Sequence, residues 1–297
     1  MEALAQAPEL AGKVCLLTGA TQGIGRATAQ ALGRQGRGLT LVLIARDPAR
    51  GEQLAAELRA HSRSPIELLV GDLSSQAEVR RLAAAFLARH DRLHILINNA
   101  GAVFTRRQLS ADGIELTWAL NHLGYFLLTN LLLDTLKKSA PARIINVASS
   151  AHRRVPGINF ADLQSEKNYA GMRVYGQSKL ANILFTRELA HRLAGSGVTA
   201  NCLHPGVVRS GFALNTRSLL NLGYRLMGPF LRAPEQAADD LVYLATSEAA
   251  KDVTGAYFIG RRPARSTRAA SDLAAARRLW EVSCKQTGVS ALPKPEP

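Results

Sequence analysis

The chain has 297 residues but only three cysteines, Cys15, Cys202 and Cys284. They are odd in number and far apart, and Cys15 and Cys202 sit inside apolar runs, which excludes a disulfide framework. Apolar residues make up 47% of the sequence, yet they never run unbroken for the roughly 18 positions that a membrane-spanning helix needs. The opening stretch, Met1 to Gly12, has neither the basic start nor the apolar centre of a secretory signal, so a cytoplasmic location is expected. The seven histidines show no metal-ligand spacing, and no metal is expected. Zinc-finger spacing, aromatic-interleaved basic tracts and solenoid-period repeats are all lacking.

Acidic residues are in short supply: 23 Asp and Glu face 37 Lys and Arg, a formal charge of +14. A positive field draws polyanions non-specifically. Arginine is scattered through every segment, however, so no specific nucleic-acid partner is expected, and part of the excess is assigned to the phosphates of a cofactor. The densest cluster, Arg261, Arg262, Arg265 and Arg268, is where an anionic partner would be sought.

What is present is an alternation of short apolar, β-branched runs with longer amphipathic stretches, the pattern of repeated βαβ units. Strands are expected at Val14–Thr18, Thr40–Ala45, Ile66–Val70, Ile95–Asn98, Ile144–Ala148, Val198–Leu203 and Ala256–Ile259. Helical patterns lie at Ile24–Arg34, Arg50–His61, Gln76–His90, Ile114–Lys138, Arg173–Ala194 and Pro234–Ser247. The fold class is therefore α/β: a single-domain, Rossmann-type doubly wound parallel sheet of about seven strands. An extension over 1–12, a catalytic domain over 13–262 and a basic tail over 263–297 complete the chain. The tail is expected to form one helix near Asp272–Val282 and to fray from Gly288 onward. Two segments break the rhythm after a strand, Arg153–Met172 and 207–233. The second is rich in Leu, Phe, Tyr and Met and reads as a lid over a lipophilic substrate, or equally as an interaction or membrane-surface contact.

Directly after the first strand comes Gly19-Ala20-Thr21-Gln22-Gly23-Ile24-Gly25, opening into a helix. Glycines there permit a tight turn and close backbone approach, so that a pyrophosphate can meet the helix N-terminus. Arg26 follows Gly25, so the Lys-Ser/Thr pair of a P-loop is missing. At the end of the second strand, where NAD enzymes usually place an acid against the ribose 2′-hydroxyl, stands Ala45, followed by Arg46 with a guanidinium fork suited to a 2′-phosphate. NADP(H) is the expected cofactor. Asp47, before Pro48, reads as a helix cap, and Arg46 could then be only a solvated helix-start residue. Tyr175 and Lys179 lie four apart on a predicted helix and share one face. An ammonium beside a phenol favours the phenolate, lowering a pKa of about 10 toward neutrality and fitting the tyrosine for acid/base work.

These motifs, together with Asn98-Asn99-Ala100-Gly101 after the fourth strand and serine after the fifth, resemble in content and order the short-chain dehydrogenase/reductase family over about Lys13 to Gly260. Within it, Asn121-His122-Leu123-Gly124-Tyr125-Phe126, Asn146-Val147-Ala148-Ser149-Ser150-Ala151-His152 and Ser178–Phe185 resemble the retinol dehydrogenase group. The resemblance implies an NADP(H)-dependent oxidoreductase moving a hydride to or from a carbonyl or alcohol. It implies that Ser149 hydrogen-bonds the substrate oxygen, Tyr175 transfers the proton, Lys179 holds the ribose hydroxyls and Asn121 anchors a relay water. Ser150 competes for the serine role. Asp72, with Leu73, resembles the adenine-contacting segment, although Asp72 could instead cap the next helix. Asn98, Asn99, Ala100 and Gly101 would line the adenosine ribose and brace the sheet, and Pro205, Gly206, Val208 and Ser210 would line the nicotinamide side. A homodimer or homotetramer through the two long helices is implied as well, unless the basic tail blocks that contact. Two other readings stand beside the oxidoreductase: a cofactor-sensing scaffold, which would have no need of Ser149, Tyr175 and Lys179, and a basic membrane- or nucleic-acid-associated protein.

Overall fold

The computed structural model describes residues 10–35, 38–62, 64–208 and 231–290. Among the described residues eight strands form one sheet: β1 Val14–Thr18, β2 Thr40–Ala45, β3 Ile66–Val70, β4 Ile95–Asn98, β5 Ala142–Val147, β6 Val198–His204, β7 Tyr257–Ile259 and β8 Arg262–Pro263. Their order is β3-β2-β1-β4-β5-β6-β7-β8. The first seven run parallel, and β8 pairs antiparallel with β7. The two-residue β8, one of them Pro263, carries no period-2 signal, which is why the sequence reading stops at seven strands.

Winding reverses between β1 and β4, and the crevice outside their carboxyl ends is where such sheets hold ligands. The strands are apolar on both faces because helices cover both. On one face Cys15, Leu17, Leu41, Leu43 and Ile97 pack with α1 (Gly23–Gln35), α2 (Pro48–His61) and α8 (Pro234–Thr246). On the other, Leu16, Val42, Ile44, Leu96 and Ile144 pack with α3 (Gln76–Leu87), α5 (Gly124–Leu131), α6 (Leu133–Lys138) and α7 (Gly171–Arg192).

The stretch read as one helix over Ile114–Lys138 is several pieces. It begins with α4 (Leu116–Trp118), whose first N–H groups are capped by the buried Glu115 carboxylate, accepting from Thr117 and Trp118. A π turn follows at Ala119–Leu123, then α5 and α6, which part at Leu132. Apolar periodicity cannot register one extra residue in a turn, so the sequence read straight through it.

The tail is ordered further than expected. Helix α9 (Leu273–Thr287) is capped by Asp272 and ends on Gly288 in the left-handed conformation, φ 64°. Trp280, 2% exposed, sinks between Phe126 and Phe185 with ring centroids 5.0 and 5.9 Å away. Among the described residues no helix is long and apolar enough to cross a membrane.

Candidate functional site

The glycine turn packs on the sheet edge so closely that side chains are excluded. Gly19 has φ 69°, and a Cβ there would lie 2.7 Å from Ala100 Cα. At Gly25 a Cβ would lie 2.1 Å from the Gly19 carbonyl oxygen and 2.6 Å from Asn99 Nδ2. Gly23 starts α1, with Thr28 Oγ1 donating to the Ile24 carbonyl at 2.8 Å. Asn99 braces the turn by donating from Nδ2 to the Thr18 and Gly19 carbonyls at 2.9 and 3.1 Å. Thr18, which the sequence reading passed over, is the reciprocal brace. Its buried hydroxyl accepts from the N–H groups of Asn99 and Ala100 at 2.9 and 3.0 Å. The available signal was a hydroxyl closing an otherwise apolar strand.

Beside the turn, Thr21, Arg26, Arg50, Gln53 and Leu54 line a cleft of about 240 Å³. Gln22 and Arg46 are exposed nearby in sequence, and Asp47 caps α2 by accepting from Arg50 N at 3.1 Å. Asp47 is thus a cap, and Arg46 has no carboxylate partner among the described ion pairs. Asp72 Oδ1 accepts from the Ser74 N–H and hydroxyl at 2.9 and 2.8 Å, while Ser75 caps α3. Its side chain therefore shapes the loop before the helix. Leu73 is buried in the core.

The other half of the site is held by side chains. Asn121 lies in the π turn, fully buried, with Oδ1 accepting from Ala102 N and Nδ2 donating to the Ala102 carbonyl, each at 2.9 Å. Nδ2 also donates to Ser178 Oγ at 3.0 Å, and that hydroxyl donates to the Tyr175 carbonyl at 2.8 Å. Lys179 Nζ donates to the Val147 carbonyl at 2.8 Å and lies 5.7 Å from the Tyr175 ring centroid and 5.6 Å from that of Tyr125. A Cβ on Gly101 would lie 3.1 Å from Asn121 Oδ1 and 3.5 Å from Lys179 Nζ, so Gly101 opens the space between them. Burial disfavours the ammonium and brings the Lys179 pKa down from 10.5 to about 7.

Ser149, two residues beyond Val147, caps the 3₁₀ turn Ser150–Arg154 by accepting from Ala151 N at 3.2 Å. Helix α7 meets that turn closely: a Cβ on Gly176, next to Tyr175, would lie 2.8 Å from the Ala151 carbonyl. Ser149, Tyr175, Lys179 and Asn121 are therefore gathered at the carboxyl ends of β4 and β5. Beneath them runs a buried polar ladder, of which sequence reasoning named only Asn98, as a brace of the sheet. Asn98 Nδ2 donates to Thr129 Oγ1 and Asn146 Oδ1, Asn146 Nδ2 to Thr186 Oγ1, and Asn182 Nδ2 to the Val147 carbonyl. Asparagines ending two apolar strands were its trace in the sequence.

On the far side, Gly206 has φ 87° and Pro205 accepts from Arg232 Nη1 at 2.9 Å. Val208 is buried and bridges to Arg232. Ser210 and most of the 207–233 segment lie outside the described residues.

The short chain dehydrogenase family matches residues 13–219. Retinol dehydrogenase 12 of Mus musculus is 44% identical over 283 residues, covering 95% of this chain and 88% of that protein. Among solved structures, a protein from Mycobacterium Paratuberculosis is 33% identical with a TM-score of 0.76, covering 96% of this chain and 97% of that one. The Pseudomonas aeruginosa RhlG/NADP active-site complex is 30% identical with a TM-score of 0.68, covering 84% of this chain and 95% of that one. Matched motifs, sheet order and relatives agree: the chain belongs to the short-chain dehydrogenase/reductase family and, within it, is retinol dehydrogenase-like.

Proposed function

We propose that this chain is an NADP(H)-dependent oxidoreductase interconverting a lipophilic carbonyl compound and its alcohol, with Tyr175 as the proton-transfer residue. The observation that carries the reading is the buried Lys179 amine beside the Tyr175 ring, on the same sheet edge as a turn too tight for side chains at Gly19 and Gly25. That turn fits a dinucleotide: Gly19, Thr21, Gln22, Gly23, Ile24 and Gly25 would take the pyrophosphate, and Asn99, Ala100 and Gly101 the ribose beside it. Arg46, exposed and without a carboxylate partner among the described residues, would fork onto the 2′-phosphate. The nicotinamide, when bound, gives hydride to the carbonyl carbon or takes it from the alcohol.

The chain's own residues handle the oxygen. In reduction, the Tyr175 hydroxyl gives its proton to the substrate oxygen as charge develops there, and the Ser149 hydroxyl donates a second hydrogen bond that orients it. Lys179 offsets the phenolate left behind and, with a pKa brought to about 7, exchanges protons near neutrality. Asn121 holds the relay that re-protonates the tyrosine. The reverse sequence serves alcohol oxidation. An apolar 207–233 segment suits a lipophilic substrate of retinoid, steroid or xenobiotic type.

Tyr175→Phe tests the reading. Turnover of an aldehyde and ketone panel, followed by NADPH absorbance, is expected to fall by about 10²–10⁴, the share of general acid catalysis, with NADPH affinity nearly unchanged. Unaltered turnover removes Tyr175 from this role.

A further inference from the structure

The carboxy-terminal helix takes no part in coenzyme or substrate contacts as described so far, yet it reaches the catalytic turn. Asn121 is flanked in its π turn by His122 and follows α4, which ends in Trp118. Both flanking side chains end on α9. His122 Nε2 hydrogen-bonds Ser283 Oγ at 2.8 Å, and Trp118 Nε1 donates to Gln286 Oε1 at 3.1 Å. His122 and Ser283 are both fully buried, so water does not compete for that bond. Burial also holds the His122 pKa down to about 3, which keeps the pair neutral through the working pH range.

Further contacts anchor α9, some of them on rings that also border His122. Trp280 is wedged against Phe126 and Phe185 under the Arg192 guanidinium, which lies 4.5 Å over its ring. At its carboxyl end, the carbonyls of Gln286 and Thr287 accept from Gln76 Nε2 and Arg80 Nη2 of α3 at 2.9 and 2.5 Å. Gln286 thereby ties α3 to Trp118 through one residue. A helix needing only to bury an apolar face would be served by Ala276, Leu279, Trp280 and Cys284. Its two bonds to the flanks of Asn121 are additional to that burial.

A π turn is rarely adopted and is kept in place by its surroundings. We propose that α9 is a positioning element for the reaction: through Ser283 and Gln286 it clamps the π turn and fixes where Asn121 stands. Ser283 and Gln286 act through His122 and Trp118, and so through Asn121, on the relay proposed above; the inference rests on that reading. The sequence separation, 161 residues between His122 and Ser283, makes the clamp a tertiary contact.

The test is the Ser283→Ala/Gln286→Leu double variant, with two readouts. In the coenzyme-free protein, amide hydrogen exchange over residues 119–123 should quicken about tenfold, the size that losing two neutral hydrogen bonds carries. In the assay, kcat should fall about tenfold while KM for NADPH stays within about twofold, a split that removes transition-state positioning and leaves binding. Ser283→Thr, which keeps the hydroxyl, should restore the single-site loss. Trp280→Phe is the stability control: it should lower Tm but leave kcat within about twofold, because both clamp bonds remain. Unchanged exchange at 119–123 in the double variant, or a kcat loss in Trp280→Phe matching its Tm loss, overturns the proposal. Should the double variant fail to fold, Ser283→Ala and Gln286→Leu singly are judged by the same exchange criterion. The exchange result stands apart from chemistry, so an active Tyr175→Phe would sink the functional reading without deciding the clamp.

Discussion

The two halves of the site are built in different materials. On the β1 side the ligand surface is backbone: Gly19 and Gly25 clear the way, and Thr18 and Asn99 serve mainly to hold that backbone still. On the β5 side it is side chain, with Asn121, Tyr175 and Lys179 carried on helices and seated over the Asn98–Asn146–Thr186 ladder. A backbone surface suits a phosphate chain, for which N–H groups and a helix dipole suffice. Proton transfer needs titratable groups, and these must be desolvated and located by contacts of their own. The difference teaches that equal substitutions should fail differently: by steric exclusion on one side, by altered protonation on the other.

The largest effect on coenzyme binding is expected on the backbone side. Gly25→Ala adds a single methyl, but it would stand 2.1 Å from the Gly19 carbonyl, so the turn must open. Overpacking of this kind costs about 1–3 kcal/mol, and at its upper end NADPH affinity should weaken about a hundredfold. Fluorescence titration of NADPH checks it. Binding within about threefold of the parent would erase the proposed contrast.

Legibility follows the same division. The glycine turn, the first four strands and the Tyr175–Lys179 pair were readable because each is local: a run, a turn or an i,i+4 spacing. Strand bounds β1 to β4 agree with expectation to the residue. What the sequence hid was non-local. The π turn at Ala119–Leu123 looks helical to any periodicity, and the partner of its Asn121 side chain, Ala102, lies 19 residues away. The reach of α9 to Thr287 and its contacts with Trp118 and His122 depend on partners some 160 residues distant. Gly288 as a helix stop was a cue in plain view.

Arg46 tests where side-chain chemistry intrudes on the backbone half. Asp47 caps α2 and lies 3.6 Å from Arg50 Nε, while Arg46 is exposed. Arg46→Ala should lower the ratio of kcat/KM with NADPH to that with NADH by about 10- to 100-fold, the worth of a charge-assisted hydrogen bond. Steady-state kinetics with both coenzymes read it. Equal loss of both would move phosphate selection to Arg26 and Arg50 in the neighbouring cleft.

Lys179 gives the smallest effect and the sharpest sign. Burial sets its pKa to about 7 against an ordinary 10.5, so between these values the unfolded chain binds the proton and the folded chain does not. Stability from this group therefore rises with pH across that window and is at its lowest below it. Lys179→Met removes the desolvated amine. Its Tm advantage over the parent should be greatest at and below about pH 7, about 2–4 °C for each kcal/mol relieved, and should fade as pH approaches 10.5. Melts from pH 6 to 10 decide it. A Tm difference that stays constant across that range would mean the amine is not held neutral by burial, and the β5 side would then be a steric site like the β1 side.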